Sequence, residues 1–228
     1  MRRTPGGATA GLERACQVLA AGGAVVVPNP APMAYGLVGT SATAVNALKG
    51  RALDQAVAVS LHDRSEWQRV APNIDVPPAA LDAVLRLLRR RLSLLVPLRS
   101  QEPCLQWIAP AVRDGYLGVF NGHWTHTATL WDRFPRLFGS SANLTGEPPA
   151  ACAADALAMF GTDCPVVEVT AFGDQRRWRL SSTMVRLDRR GRLALHRTGA
   201  DDAAGSRAPG EYLRQLAATV GLPVQPDE

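Results

Sequence analysis

Lys49 and Arg51 stand two apart in Leu48-Lys49-Gly50-Arg51, and two cations just past a helix C-terminus can together face a polyphosphate. The alternative reading is a lysine that complements the helix dipole, because cations are favoured at that end in any case. Arginine fills roughly one position in ten, so K-x-R alone carries little information. Lys49 is the more distinctive of the two, being the single lysine among 25 basic residues. A second group, Ser140-Ser141-Ala142-Asn143-Leu144-Thr145-Gly146, offers hydroxyls and an amide on a small-residue turn. That chemistry suits ribose or phosphate contacts, though such residues also make turns and caps routinely. It is not a hydrolase nucleophile elbow, since Asn143 stands where that motif needs glycine.

His123 and His126 have i, i+3 spacing with Asp132 nearby, but two histidines without a third ligand at firm spacing do not make a metal site, and none is expected. Arg89-Arg90-Arg91 and Arg176-Arg177-x-Arg179 read either as nucleic-acid patches or as solvated faces. The arginine excess is first a signature of GC-rich codons.

These groups need a scaffold, and hydrophobic periodicity supplies one. Residues 10–22 have helical spacing and end at Gly22-Gly23; Ala24 to Val27 is a β-branched strand stopped by Pro28. The stretch 29–39, NPAPMAYGLVG, is too rich in Pro and Gly for a regular element and is expected to be a loop at a strand's C-terminal end, where open α/β sheets bind ligands. A short helix over 42–49 capped by Gly50, a strand over 56–61, a helix over 79–91 and a strand over 92–98 follow. Then come a strand at 116–120, a helix at 129–137, a turn at 139–143 and a helix at 153–160. Strands near 165–169, 182–188 and 193–197 complete a core over 10–200. The alternation predicts an α/β domain with a mixed sheet. Residues 201–228 read as a polar linker and a short helix over 211–220, with the end, PVQPDE, expected to fray.

The composition bounds the rest. With 228 residues, 46% apolar, 20% charged and a net charge of +5, the chain can bury a core without staples and is not a disordered polymer. Its four cysteines are scattered with no C-x-x-C pair, which reads as reduced thiols. Residues 16–48 carry no charge, yet Gly22, Gly23, Pro28, Pro30 and Pro32 interrupt them, so no membrane span is expected. No signal-type apolar stretch follows the first arginines, and a cytoplasmic location is the expectation.

In order, these pieces resemble the YrdC-like family, the L-threonylcarbamoyladenylate synthases. The strand, proline loop, Tyr-Gly-Leu, helix and K-x-R of that family are similar to AVVV, PAPMAYGL, 42–48 and KGRALD here. SANLTG at 141–146, SSTMVRLD at 181–188 and HRTGA at 196–200 resemble its S-A-N-x-S-G turn, S-T-V-V-D strand and closing L-R-x-G-A. The resemblance implies a twisted mixed sheet with flanking helices around a basic cavity. It also implies a reaction in which ATP, bicarbonate and an amino acid, with Mg²⁺, give a carbamoyl-adenylate and pyrophosphate, the first step toward a modified adenosine in tRNA. Carried over by position, Lys49 and Arg51 would be catalytic and hold the triphosphate, with Ser141, Asn143 and Arg197 completing the nucleotide site. Ala31, Met33, Tyr35, Phe120, Ser182 and Thr183 would border the acceptor pocket.

Departures from the pattern cluster on the acceptor side. Pro30-Ala31-Pro32-Met33 replaces Pro-Thr-Asp-Thr, and Arg89 to Ser93 replaces Pro-Gly-Pro-x-Thr, keeping only the terminal hydroxyl. Phe120 stands where many relatives have arginine, and Ser60 where some have histidine. Each lost hydrogen bond to a charged substrate is worth roughly 1–3 kcal/mol, so affinity for threonine should fall by orders of magnitude. The leading expectation is a carbamoyl-adenylate-forming enzyme with an altered amine or amino-acid acceptor. The alternatives are the threonine enzyme itself, a module binding double-stranded RNA or nucleotide, and a subunit without catalysis.

Overall fold

Ala24–Val27 forms β1 and is buried along its whole length, as a four-residue apolar β-branched run should be when both faces are covered. In this computed structural model, residues 10–100, 105–161, 164–168, 180–203 and 210–226 are described. The chain divides into two units, one built from Met1–Val57 and His123–Ser181, the other from Ala58–Gly122 and Ser182–Glu228.

In the first unit, β2 (Gly36–Gly39) lies between β1 and β7 (Phe138–Ser141) and is antiparallel to both, with Val27 opposite Gly36 and Gly36 opposite Ser141. The sequence reading of 29–39 as a loop is therefore corrected for its last four residues, and residues 139–141 of the expected turn are also strand. Gly39 is there for closeness: a Cβ on it would lie 3.1 Å from Ala24 Cβ and 3.2 Å from Val45 Cγ2. A residue that looks like a breaker in sequence is a packing residue in the sheet. Helices α1 (Leu12–Ala20), α2 (Ala42–Leu48), α5 (Ala128–Arg133) and α6 (Ala153–Phe160) belong to this unit. Ser41 caps α2, its Oγ accepting from Ala44 N at 3.1 Å.

The second unit holds a mixed sheet in the order β3 (Ala58–Ser60), β6 (Tyr116–Phe120), β4 (Ser93–Pro97), β8 (Met184–Leu187), β9 (Leu193–Arg197). The β3–β6 and β4–β8 pairs are parallel; β6–β4 and β8–β9 are antiparallel. Helices α3 (Arg64–Val70), α4 (Pro78–Leu88), α7 (Ala200–Ala203) and α8 (Glu211–Val220) flank it. The expected class, a twisted mixed α/β sheet with flanking helices, is the one adopted. Helix α3 escaped the sequence reading because its seven residues, RSEWQRV, hold two apolar positions, Trp67 and Val70, too few to show a stripe. Its signal is the cap, where Asp63 Oδ1 accepts from Ser65 N and Glu66 N.

Strand β5 (Val112–Arg113) turns onto β6 through Asp114 (φ 52) and Gly115 (φ 76), with Arg113 opposite Tyr116. Asp-Gly with both residues at positive φ is the two-residue hairpin turn favoured by strand twist. Gly115→Ala should cost about 1–2 kcal/mol by forcing a Cβ into the left-handed region. An unchanged urea midpoint would contradict that turn.

Helix α8 buries Leu213, Leu216, Ala217 and Val220 against α4 and β9, and Arg86 Nη2 donates to Val220 O at 2.7 Å. Beyond it, Leu193 N donates to Pro223 O at 2.9 Å and Gln225 N to Leu193 O at 2.8 Å. Residues 223–225 thus join the edge of β9 rather than fraying. Cys16 and Cys164 are buried, and among the described residues neither they nor Cys152 form a disulfide. Cys104, the arginines 176, 177 and 179, and residues 204–209 of the expected linker lie outside the described residues. Among the described residues, no helix is long and apolar enough to cross a membrane.

Candidate phosphate site

Helix α2 ends on Lys49, which is its C-cap with φ −80° and ψ −4°. This places the side chain at the negative end of the helix dipole and leaves it 4% exposed. The ammonium donates to Ser141 O at 2.6 Å, Asn143 O at 2.7 Å and Asn143 Oδ1 at 2.9 Å. In return Lys49 O accepts from Thr145 N at 3.3 Å and Thr145 Oγ1 at 3.0 Å. Lys49 therefore fastens the 141–145 turn to the end of α2, and all three of its N–H donors are occupied.

Asn143 is the hub of the turn. Its Oδ1 also accepts from Ser141 Oγ at 2.6 Å, while its Nδ2 donates to Leu144 O at 2.8 Å and Glu147 O at 2.9 Å. Ser141, Asn143 and Lys49, singled out in the sequence as nucleotide contacts, are brought together, but their polar atoms are spent on one another. Arg51 differs: Nε donates to Asn46 Oδ1 at 2.6 Å, and its two Nη groups carry no hydrogen bond among the described residues. The group with donors to offer a phosphate is the guanidinium fork.

Burial, with the adjacent Arg51 charge as a smaller cause, lowers the Lys49 ammonium from 10.5 to about 7. Burial likewise lowers Arg51 below its ordinary value. Three acceptors take three N–H groups, so deprotonation of Lys49 removes one of these three hydrogen bonds.

The loop before β2 is closed on itself. Met33 N donates to Pro30 O at 3.1 Å, Ala34 N to Leu180 O at 2.9 Å, and Asn29 Nδ2 to Ala34 O at 2.8 Å. Met33 and Tyr35 are buried and Ala31 is half-buried. Tyr35 N donates to Ala150 O at 3.0 Å and Tyr35 O accepts from Ala142 N at 2.9 Å, which ties this loop to the 141–145 turn.

In the second unit Ser182 is the junction. Its hydroxyl is 2.8 Å from Ser93 Oγ, and its carbonyl accepts from the exposed Arg197 Nη2 at 3.0 Å. Phe120 lies opposite Ser93 in the β4–β6 ladder. Thr183 is fully buried, its Oγ1 donating to Asp202 Oδ1 at 2.7 Å. Asp202 also accepts from Gly199 N at 2.6 Å, so Thr183 holds the start of α7. At Ser60, Oγ lies 2.8 Å from His62 Nδ1, which returns an imidazole two residues beyond the position where some relatives carry one. His123 Nε2 and Asp132 Oδ1 are 3.1 Å apart and His126 stacks on Trp124, a surface pair and a ring contact. Among the described residues no three potential metal-ligating side chains gather.

The sequence reading missed Asn46. It is fully buried in α2, and a polar residue three positions ahead of a buried cation on a short apolar helix was its one signal.

P. abyssi Sua5 complexed with L-threonine superposes with a TM-score of 0.64 at 18% identity, over 94% of this chain and 59% of that one. E. coli YciO gives 0.60 at 13% identity, over 82% and 88%. Full-length HypF in its phosphate- and nucleotide-bound form gives 0.62 at 18% identity, over 84% of this chain and 29% of HypF. The chain thus spans about 59% of the length of the Sua5 structure, and at these identities the likeness is one of fold. No curated protein matches the sequence. A family model, Sua5/YciO/YrdC, described as telomere recombination, matches residues 17–199, which takes in β1, the Lys49 turn and β8 to β9. The chain belongs to the Sua5/YciO/YrdC family.

Proposed function

We propose that this protein is an ATP-using enzyme that forms a carbamoyl-adenylate, and that its acceptor is an amine or amino acid other than threonine. The observation that carries this reading is the Arg51 fork, whose Nη groups make no hydrogen bond among the described residues, beside a turn that Lys49 locks in place. Family membership supports the chemistry, as do the L-threonine of the Sua5 structure and the nucleotide of the HypF structure.

In this reaction the acceptor amine and bicarbonate combine to a carbamate with loss of water. A carbamate oxygen then attacks the α-phosphorus of MgATP, and the bond from that phosphorus to the α,β-bridging oxygen breaks so that pyrophosphate leaves. No protein nucleophile is required, so the residues act by positioning and by stabilising charge. Arg51 holds phosphate oxygens, and the Lys49 ammonium adds positive charge while keeping the turn in register. Ser182, Ser93 and Arg197 form the polar group of the second unit and are assigned to substrate contact.

The altered acceptor rests on the loop before β2. Ala31, Pro32 and Met33 bring no hydroxyl or carboxylate, and Asn29 is committed to Ala34 O. A loop whose polar groups are already paired has little to offer a zwitterion.

Pyrophosphate release from MgATP and bicarbonate, measured across a panel of amines and amino acids, tests both parts. Release with a non-threonine acceptor, reduced about 10²–10³-fold by Arg51→Ala, is the expected result. Release with threonine at a comparable rate would make this a threonylcarbamoyl-adenylate synthase with a rebuilt pocket. Release with no acceptor would overturn the enzymatic reading.

A further inference from the structure

We infer that Asn46 is a positioning residue that aims Arg51 at its phosphate ligand; this rests on the reading of Arg51 as the phosphate-holding group. Every polar atom of its side chain is engaged. Nδ2 donates to Leu53 O at 2.9 Å and to Gln55 O at 2.8 Å, and Oδ1 accepts from Arg51 Nε at 2.6 Å. Its backbone carbonyl also accepts from Arg51 N, at 3.2 Å. The amide orientation follows from these partners, since two carbonyls need its N–H groups and one N–H needs its oxygen.

Residue 46 is fully buried, so its amide is out of reach of a ligand and acts through what it holds. It holds the segment 51–55, which a further bond from Gln55 N to Ala52 O at 3.1 Å closes into a turn. A guanidinium is a planar fork, and fixing Nε fixes the plane and the direction of the two Nη groups. Those groups are the ones without a hydrogen bond among the described residues. Asn46 therefore occupies Nε, which closes the side-on edge of the guanidinium, and leaves the end-on Nη edge for a planar or tetrahedral oxyanion. An unheld arginine would surrender side-chain entropy on binding; this one has surrendered it already.

The roles of the two ends of the amide can be separated. Asn46→Asp keeps an oxygen for Arg51 Nε and removes both donors to Leu53 and Gln55. Asn46→Leu removes all three contacts at similar volume. The probe is inorganic tripolyphosphate, with affinity read by calorimetry and the Arg51 Nε–H followed by ¹⁵N NMR, assigned through Arg51→Lys. Asn46→Leu should weaken binding about tenfold, and the loss should vanish in an Arg51→Ala background, as expected for residues acting as a unit. Asn46→Asp should melt lower than wild type yet bind within about threefold of it, a split that a purely structural residue would not show.

The positioning role is overturned if Asn46→Asp loses as much affinity as Asn46→Leu, or if the Asn46→Leu loss persists undiminished without Arg51. Should wild type fail to bind tripolyphosphate, the phosphate reading falls, and the NMR signal still decides the inference. Slow exchange of Nε–H in wild type, lost in Asn46→Leu and kept in Asn46→Asp, supports it; fast exchange in wild type overturns it.

Discussion

Lys49→Ala is expected to abolish pyrophosphate release and also to lower the melting temperature, whereas Arg51→Ala cuts release about 10²–10³-fold with a smaller drop in melting. The difference follows from what each cation touches. Removing the Lys49 ammonium leaves Asn143 O without a donor among the described residues, and takes one of two donors from Ser141 O, which keeps Asn143 N, and from Asn143 Oδ1, which keeps Ser141 Oγ. A stranded buried acceptor costs about 1–3 kcal/mol, partly offset because a charge no longer has to be held out of water. A net loss of about 1–3 kcal/mol corresponds to a drop of roughly 2–10 °C in a chain of this size. Arg51 makes one side-chain hydrogen bond among the described residues, to Asn46 Oδ1, so its removal leaves that one buried acceptor without a donor and touches nothing else, and its drop is the smaller. Thermal unfolding of the two variants beside the wild type checks this, and a Lys49→Ala protein that melts like the wild type would remove the stapling role.

The same lysine makes the site sensitive to pH in a calculable direction. Between about 7 and 10.5 the unfolded chain keeps a proton that folded Lys49 has released. This group therefore raises stability as pH climbs through that window, and contributes no slope below it. Polyphosphate binding runs the other way, weakening as pH rises through 7, because the site loses a positive charge and the turn loses one of its three bonds. Lys49→Ala should flatten the stability slope.

Truncation after Ala203 is expected to yield protein that aggregates or unfolds without cooperativity. The deletion removes the apolar face of α8, formed by Leu213, Leu216 and Val220, all buried. Burial of such side chains is worth about 1.5–3 kcal/mol each, so the sum approaches the whole stability of an ordinary domain. It also strips Pro223 and Gln225 from Leu193, reopening the edge of β9 to other chains. Solubility and thermal unfolding of the truncated chain are the measurements; a soluble product with an unchanged melting temperature would show that residues 204–228 are an appendage. The outcome matters because the family match ends at residue 199, short of α8.

Local chemistry made much of this readable from the chain alone. The strands Ala24–Val27, Tyr116–Phe120 and Leu193–Arg197 and the helices Ala153–Phe160 and Glu211–Val220 fall where β-branched runs and 3.6-residue spacing put them. The order of the K-x-R, S-A-N and S-T segments was equally legible, because a family's motifs are short and linear. Two errors of reading had local causes. Gly36 and Gly39 signalled a loop because their role, admitting Asn29 and Ser140 or Ala24 and Val45 at close range, depends on neighbouring elements that composition does not reveal. Pro223 and Gln225 signalled a frayed end because composition says nothing about a free strand edge waiting beside them.

The working parts of the site were decided by tertiary structure. Lys49 meets its acceptors 92 and 94 residues away, and Thr145 returns to it across 96. Residue spacing carries information over one or two turns of helix, whereas contacts at that separation exist only once the sheet has brought β7 beside β2. The sequence could say that Lys49 and Arg51 are cations two apart. Only the fold could divide their labour, because what a donor does depends on which acceptors reach it first: Lys49 is surrounded by carbonyls, and Arg51, held by Asn46 at Nε, is not.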